Sequence, residues 1–119
     1  MTTKAVGDWG ERVAAEHLER QGWVIVDRNF RAGRKEIDLV ARRGDIVAFV
    51  EVKTRTRPSY YAALEAIDAR KQREIGGVAG AWIDRFGSPV ETYRFDAIAV
   101  LSSPGATLRL EHIEDAWRV

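Results

Sequence analysis

The sequence contains no cysteine and only two histidines and three prolines among its 119 residues. Without cysteine, the chain has no disulfide framework, no thiol nucleophile and no cysteine-ligated zinc or iron–sulfur centre. No apolar run approaches the roughly 20 residues that a membrane-spanning helix needs, so we expect no membrane association. The first seven residues lack the apolar stretch of a signal peptide, and we therefore expect a cytoplasmic protein.

Motifs of nucleotide-dependent enzymes and of serine nucleophiles are also missing. Neither the P-loop nor the Rossmann glycine spacing occurs, and Ser59 and Ser88 have no evident histidine and aspartate partners. His17 and His112 lie so far apart in the chain that a histidine metal site is disfavoured. Acidic and basic side chains therefore remain as the candidates for any chemistry.

The composition is typical of one globular domain, which we assign to residues 1–119. Hydrophobic residues make up 45% of the chain and charged residues 31%. The net charge of +1 hides an uneven distribution, because twelve basic and six acidic residues lie between Arg28 and Arg73, a local charge of +6. Such a segment suits a groove for a phosphate backbone, provided that its residues fold onto one face.

Hydrophobic periodicity predicts the element order α, three strands, α, and one or two further strands. The predicted helices span about 3–21 and 61–86, and the predicted strands about 23–26, 36–41, 46–54, 93–101 and 108–113, with a polar turn at 29–34. The tight connection at 42–45 indicates an antiparallel hairpin. The long second helix suits a parallel crossover, so we predict an α/β fold with a mixed central sheet flanked by helices.

Acidic residues occupy the first strand of this hairpin. In the predicted strand 36–41, alternation places Glu36 and Asp38 on one side and Ile37 and Leu39 on the other. Such an acidic face is costly inside a sheet unless it is paired or bound to something.

The second strand of the hairpin carries Glu51 and Lys53 on one face of an otherwise apolar run. The hairpin register places Asp38 roughly opposite Glu51, and converging carboxylates repel one another unless a cation neutralises them. All-oxygen ligands favour Mg²⁺ or Mn²⁺, which together with Lys53 suits phosphodiester hydrolysis. The alternative is an ordinary ion pair of Glu51 and Lys53 on an edge strand, with Asp38 elsewhere.

Six sequence segments resemble, in order, the YraN family, which is assigned by similarity to the restriction-endonuclease-like PD-(D/E)xK nucleases, near the archaeal Holliday junction resolvases. The segments are Gly7–Glu11, Gly22–Ile25, Arg28–Arg31, Glu36–Val40, Phe49–Arg55 and Ala66–Lys71. The resemblance implies a restriction-endonuclease-like αβββαβ core, in agreement with the order predicted from periodicity.

The resemblance also implies roles for particular residues. It makes Asp38 the acid of the first core strand, Glu51 the acid of the E-x-K motif and Lys53 its lysine. It further implies Glu11, on the first helix, and the backbone carbonyl of Val52 as metal ligands.

Other residues are candidates for substrate contacts or stay open. The resemblance implies that Lys71 contacts a substrate phosphate, although a solvated helix surface is the alternative. Arg31 and Arg55 are further candidates for substrate contacts, and Tyr60 either stacks on unpaired bases or packs in the core. Glu36 either joins the acidic site or contacts a basic neighbour or solvent.

The function that we predict from these observations is metal-dependent hydrolysis of DNA, with branched DNA as one candidate substrate. A homodimer is an arrangement that the resemblance to resolvases allows, because a four-way junction offers two equivalent strands. The alternative is a noncatalytic nucleic-acid-binding or complex-forming module on the same fold.

Overall fold

A computed structural model describes residues 2–55, 65–101 and 108–118. Its helices are α1 (Thr3–Arg20) and α2 (Ala69–Phe86), and its strands are β1 (Val24–Ala32), β2 (Lys35–Arg43), β3 (Ile46–Arg55), β4 (Thr92–Leu101) and β5 (Arg109–Trp117). The strands form one sheet in the order β1-β2-β3-β4-β5, in which β3 and β4 are parallel and the other neighbours antiparallel. The predicted α/β class, mixed sheet and αβββαβ order are confirmed, and β5 adds an edge strand. No helix in the described ranges has the length and apolar character to cross a membrane.

Capping residues set where the two helices begin. The Thr2 side chain accepts a hydrogen bond from the Ala5 N–H at 3.0 Å, and Asp68 accepts one from the Lys71 N–H at 2.9 Å. The second helix begins at Ala69, and residues 66–68 before it are not helical, so the predicted continuous helix over 61–86 is wrong there because Asp68 caps a new helix. The predicted start near residue 61 lies outside the described residues.

The first strand is longer than predicted. β1 continues to Ala32, so the predicted polar turn at 29–34 is wrong and the actual turn is confined to Gly33 and Arg34. Gly33 adopts a positive φ of 63°, which glycine tolerates without strain. The polar composition misled the prediction because an edge strand exposes much of its surface.

Two apolar layers cover the faces of the sheet. The α1-side core lies between the sheet and α1 and includes Ala14, Leu18, Trp23, Leu39, Ala41, Ala48, Val50, Val52 and Ile98. The α2-side core lies between the sheet and α2 and includes Ile37, Val40, Val47, Phe49, Ile75, Val78, Trp82 and Ala97. Burial of this apolar area is the main force that fixes both helices on the sheet.

Gly10 sets the distance at which α1 packs against the sheet. A Cβ at Gly10 would clash with the Thr54 side chain, so glycine allows the helix to approach β3 this closely. Because Glu11 follows Gly10, this contact carries Glu11 toward the carboxyl-terminal end of β3.

Candidate functional site

The β2–β3 hairpin separates at the position of its acidic residues. The paired register runs from Arg43 and Ile46 to Leu39 and Val50. Beyond it, Asp38 Oδ2 accepts a hydrogen bond from the Val52 N–H at 2.8 Å. The Asp38 N–H in turn donates to Glu51 Oε1 at 3.4 Å. Side chains thus replace the regular ladder bonds, and the structure brings the two predicted acids together.

The predicted side-chain alternation of β2 is wrong. Ile37 belongs to the α2-side core and Leu39 to the α1-side core, so these residues lie on opposite faces rather than on one. The facing of the strand changes at Asp38, which lies opposite Asn29 of β1 between the pairs Arg28–Leu39 and Phe30–Ile37. Regular alternation therefore does not place Glu36 beside Asp38.

Glu51 is a buried carboxylate with few partners. Its exposed fraction is 2%, and Lys71 Nζ lies 4.0 Å from its Oε2 atom. Burial and the nearby Asp38 carboxylate raise the pKa of Glu51 to about 8, although Lys71 and Lys53 oppose the shift. Burial also raises the pKa of Asp38, against the opposing Val52 N–H bond. Near neutral pH the acid pair therefore retains a proton that a bound cation would displace.

Lys53 and Lys71 lie within electrostatic range of this acid pair, and the third predicted basic residue, Arg55, lies in a neighbouring cleft. Lys53 and Arg55 line a cleft of about 200 Å³ beside Val52, which also contains Glu11. The Arg55 guanidinium donates to the carbonyl of Thr54 at 3.0 Å. Lys71 reaches the pair from the first turn of α2.

The alternative of an edge-strand ion pair is wrong. β3 is the central strand of the sheet, so Glu51 and Lys53 are not on an edge. Among the described residues, the basic group within 4.0 Å of Glu51 belongs to Lys71 and not to Lys53.

Glu11 lies within electrostatic range of Asp38 but has a partner of its own. Asn29 Nδ2 donates to Glu11 Oε1 at 2.7 Å. Burial, together with the Asp38 and Glu36 carboxylates, raises the pKa of Glu11 despite that hydrogen bond. Across residues 2–55, 65–101 and 108–118, no three histidine or acidic side chains form a group that could hold a metal ion. The metal set of Asp38, Glu51, Val52 and Glu11 thus stays a prediction.

Two further candidates have different surroundings. Arg31 Nε lies 3.2 Å from Glu36 Oε2, and the Arg31 side chain is 70% exposed. Glu36 therefore has a basic neighbour, but its carboxylate also raises the pKa of Asp38, so a part in the acidic site stays a prediction. Tyr60 lies outside the described residues.

The basic segment does not fold onto one face. Arg42 pairs with Glu91, and Arg43 lies 3.9 Å from Glu114. Both arginines lie next to the hairpin turn, at the opposite end of β2 and β3 from Asp38 and Glu51. The positive charge near the acid pair therefore comes from a few basic residues and not from the whole segment between Arg28 and Arg73.

Sequence reasoning did not single out Asn29 as a site residue. In the structure it has a φ of 51° and contacts Glu11. The available signal was an asparagine within a strand-like segment, since asparagine tolerates the left-handed conformation better than most residues.

Comparison with known proteins identifies relatives over almost the whole chain. The model of "Uncharacterised protein family UPF0102", which is the YraN family, matches residues 10–100 and confirms the predicted family. A UPF0102 protein of Trichlorobacter lovleyi is 45% identical over 115 residues, covering 96% of this chain and 91% of the relative. A UPF0102 protein of Geobacter sulfurreducens is 44% identical over 117 residues, covering 98% of this chain and 91% of the relative. A UPF0102 protein of Rhodococcus jostii is 41% identical over 113 residues, covering 95% of this chain and 96% of the relative.

A solved structure is also similar. Hjc, a Holliday junction resolvase of Archaeoglobus fulgidus, matches with a TM-score of 0.47 and 24% sequence identity. The match covers 88% of this chain and 75% of the resolvase. A similarity at this level carries no conclusion about activity.

Proposed function

The chain belongs to the uncharacterised protein family UPF0102, and we propose that it is a metal-dependent endonuclease that hydrolyses DNA phosphodiester bonds at Asp38 and Glu51. The observation that carries the proposal is the buried Glu51 carboxylate, which bonds to the Asp38 backbone and lies within electrostatic range of the Asp38 carboxylate. Among the described residues, one basic group, that of Lys71, lies within 4.0 Å of it. Burying like charges costs free energy unless a cation neutralises them. A site that retains this cost is typical of one that binds a ligand.

The donor atoms support a hard divalent cation. Asp38, Glu51 and the Val52 carbonyl offer only oxygen ligands, which Mg²⁺ and Mn²⁺ prefer. The raised pKa values of both carboxyl groups fit the same ion, because its charge would favour their ionised forms. Glu11 is a further candidate ligand through the oxygen that Asn29 leaves free. When bound, such an ion polarises a phosphoryl oxygen and lowers the pKa of a coordinated water.

The basic residues have separate proposed roles. Lys53 orients the attacking water and stabilises the negative charge that builds up at phosphorus. Lys71 offsets the charge of Glu51 and contacts a substrate phosphate, and Arg55 binds a phosphate in the cleft beside Lys53. Arg31 and Tyr60 are proposed as outer contacts to the nucleic acid.

The proposed substrate is DNA, with a four-way junction as the first candidate. A junction presents two equivalent strands, so two sites related by a two-fold axis would cut it symmetrically. We therefore also propose a homodimer as the active form, located in the cytoplasm. Cleavage of junction, nicked and linear duplex DNA, with the oligomeric state followed by light scattering, separates these finer proposals.

The test of the catalytic proposal is cleavage of these substrates with Mg²⁺, with Mn²⁺ and with a chelator. We expect Asp38→Asn and Lys53→Ala each to lower the cleavage rate by roughly 10²–10⁴-fold while the variants remain folded. Asp84→Asn and Arg118→Ala are matched controls, since each removes one exposed charge away from the acid pair. Cleavage at the unmodified rate in both site variants would reject the assignment.

A noncatalytic nucleic-acid-binding module is the second candidate function. It is favoured by the absence of a three-residue metal group in the described ranges and by the Lys71 ammonium 4.0 Å from Glu51. That function predicts salt-sensitive binding of DNA and no cleavage with any divalent cation.

A further inference from the structure

Asn29 occupies an unusual backbone conformation beside the acid pair. Within the described ranges, only two residues other than glycine have a positive φ: Asn29, at 51°, and Asp115, at 49°. A left-handed residue inside a strand is uncommon, and asparagine is among the side chains that accept it. Asn29 and Asp38 occupy the same level of the β1–β2 register, between the pairs Arg28–Leu39 and Phe30–Ile37.

The side of the sheet to which successive side chains of β1 point changes its order at Asn29. Arg28 lies 4.0 Å from Glu19 of α1, and the next residue, Asn29, bonds to Glu11 of the same helix. Two consecutive side chains thus face α1, which regular strand alternation does not allow. Phe30 then packs against the α2-side core. The left-handed conformation of Asn29 accounts for this reversal.

The facing of β2 reverses at the same level. Ile37 packs in the α2-side core with its partner Phe30, whereas Leu39 packs in the α1-side core. Asp38, between them, directs its carboxylate to the Val52 N–H of β3. In two paired strands, residues that lie opposite each other must point to the same side of the sheet, because otherwise the strands would not bury the same apolar face. The irregularity at Asn29 and the irregularity at Asp38 therefore depend on each other.

The Asn29 side chain adds a second connection. Its amide donates to Glu11 Oε1 at 2.7 Å and so limits the rotamers of a carboxylate that lies within electrostatic range of Asp38. Both parts of Asn29, the backbone and the amide, thereby act on acidic groups from two different elements, α1 and β2.

We propose that Asn29 is a positioning residue of the acid site. Its left-handed backbone keeps Asp38 turned toward Glu51, and its amide keeps the Glu11 carboxylate beside Asp38. The assignment rests on the proposed function only where it concerns metal binding, since the contacts themselves exist without a metal. Asn29 does not touch the reacting atoms in this proposal and acts through Glu11 and Asp38.

Two variants separate the two parts of Asn29. Asn29→Gly keeps the left-handed backbone available and removes the amide, whereas Asn29→Ala removes both. We expect Asn29→Gly to weaken Mn²⁺ binding by roughly 10-fold in calorimetric titration with the metal alone, as loss of an orienting partner typically does. Asn29→Ala weakens it further. Asp115→Gly is the matched control, with a left-handed position of its own, and leaves Mn²⁺ affinity unchanged.

A metal-free measurement makes the assignment independent of nuclease activity. Unfolding by urea of Asn29→Gly, Glu11→Ala and the double variant forms a mutant cycle, because each single variant removes one partner of the Asn29–Glu11 hydrogen bond. We expect a departure from additivity of about 3-fold or more in the unfolding equilibrium constant. Additive effects would overturn the assignment whatever the metal result. A coupled cycle in a chain that binds no Mn²⁺ supports the contact and overturns the nuclease proposal alone. A coupled cycle with Mn²⁺ affinity unchanged in Asn29→Gly overturns the positioning role.

Discussion

Two buried carboxylates in the same sheet have opposite surroundings. Asp96 of β4 is fully buried and accepts hydrogen bonds from Arg94 at 3.0 and 3.1 Å and from the Asp115 N–H at 3.0 Å, and His112 Nε2 lies 2.7 Å from its Oδ2 atom. Glu51 of β3 is as deeply buried but has a basic group at 4.0 Å and a backbone N–H at 3.4 Å.

The two pKa shifts express this difference. Burial alone would raise the pKa of Asp96, but the bonds from His112, Asp115 and Arg94 outweigh it and lower the pKa. Burial and the Asp38 carboxylate raise the pKa of Glu51 to about 8. Asp96 is therefore a satisfied ion that stabilises the fold, whereas no cation in the described part of the chain matches it in strength at Glu51. Burial of an acidic side chain therefore indicates a functional site only where that side chain also lacks the partners that would stabilise its charge.

The largest effect expected from this comparison is on stability. Asp96→Asn leaves Arg94 and His112 without their anionic partner, so we expect the free energy of unfolding to fall by roughly 3–5 kcal/mol. Asp38→Asn, an equally conservative change, removes a like charge from beside Glu51 and should leave metal-free stability unchanged or higher. Urea unfolding of both variants measures the difference, and equal destabilisation would contradict the contrast.

Glu51→Gln should stabilise the metal-free chain at alkaline pH. The pKa of Glu51 is about 8 in the folded state and ordinarily 4.5, so between these values the folded chain binds more protons than the unfolded chain. Stability consequently falls as the pH rises through this window. We expect Glu51→Gln to gain roughly 2–4 kcal/mol at about pH 8 and little at about pH 4. A loss of stability at the higher pH would show that Glu51 is a satisfied ion like Asp96.

A divalent metal ion should stabilise the chain by binding at Glu51 and not at Asp96. Mn²⁺ at about 100 times its dissociation constant should raise the free energy of unfolding by about 2.7 kcal/mol and release protons near neutral pH. The gain should disappear in Glu51→Gln and persist in Arg109→Ala, which removes an exposed charge from β5. Thermal unfolding with and without a chelator tests this, and a gain that survives Glu51→Gln would locate the metal elsewhere.

Lys71 should have the smallest effect, and only where Glu51 is ionised. Its ammonium favours the charged form of Glu51, so Lys71→Met should cost about 1 kcal/mol at about pH 8.5 and almost nothing at about pH 5. Arg70→Met removes a neighbouring charge on the same helix that pairs with Glu74, and it should show no such pH dependence. A pH-independent cost for Lys71→Met would indicate a packing role.

The sequence predicted the parts of the fold that depend on periodicity and local chemistry. Apolar spacing gave the helices and strands, and the hairpin register brought Asp38 near Glu51. The predicted side-chain alternation of β2 failed because the left-handed Asn29 on another strand reverses the facing at Asp38. The sequence of β2 itself carries no signal of this dependence, because the asparagine that could have indicated it lies on β1.

The satisfied carboxylate was equally inaccessible from the sequence. Asp96 stands in an apolar run much as Glu51 does, and nothing local distinguishes them. Arg94 lies two residues before Asp96 on β4, much as Lys53 lies two residues after Glu51 on β3, so residue spacing does not separate the two acids. His112 and the Asp115 N–H come from β5, so strand pairing supplies the partners that only Asp96 has.

The most direct test of the account is a crystal structure of the chain soaked with Mn²⁺, with the ion located by its anomalous scattering. We predict one ion with oxygen atoms of both Asp38 and Glu51 within about 2.5 Å, and none at Asp96. An anomalous map without a peak between Asp38 and Glu51, at a concentration that supports cleavage, would contradict the account.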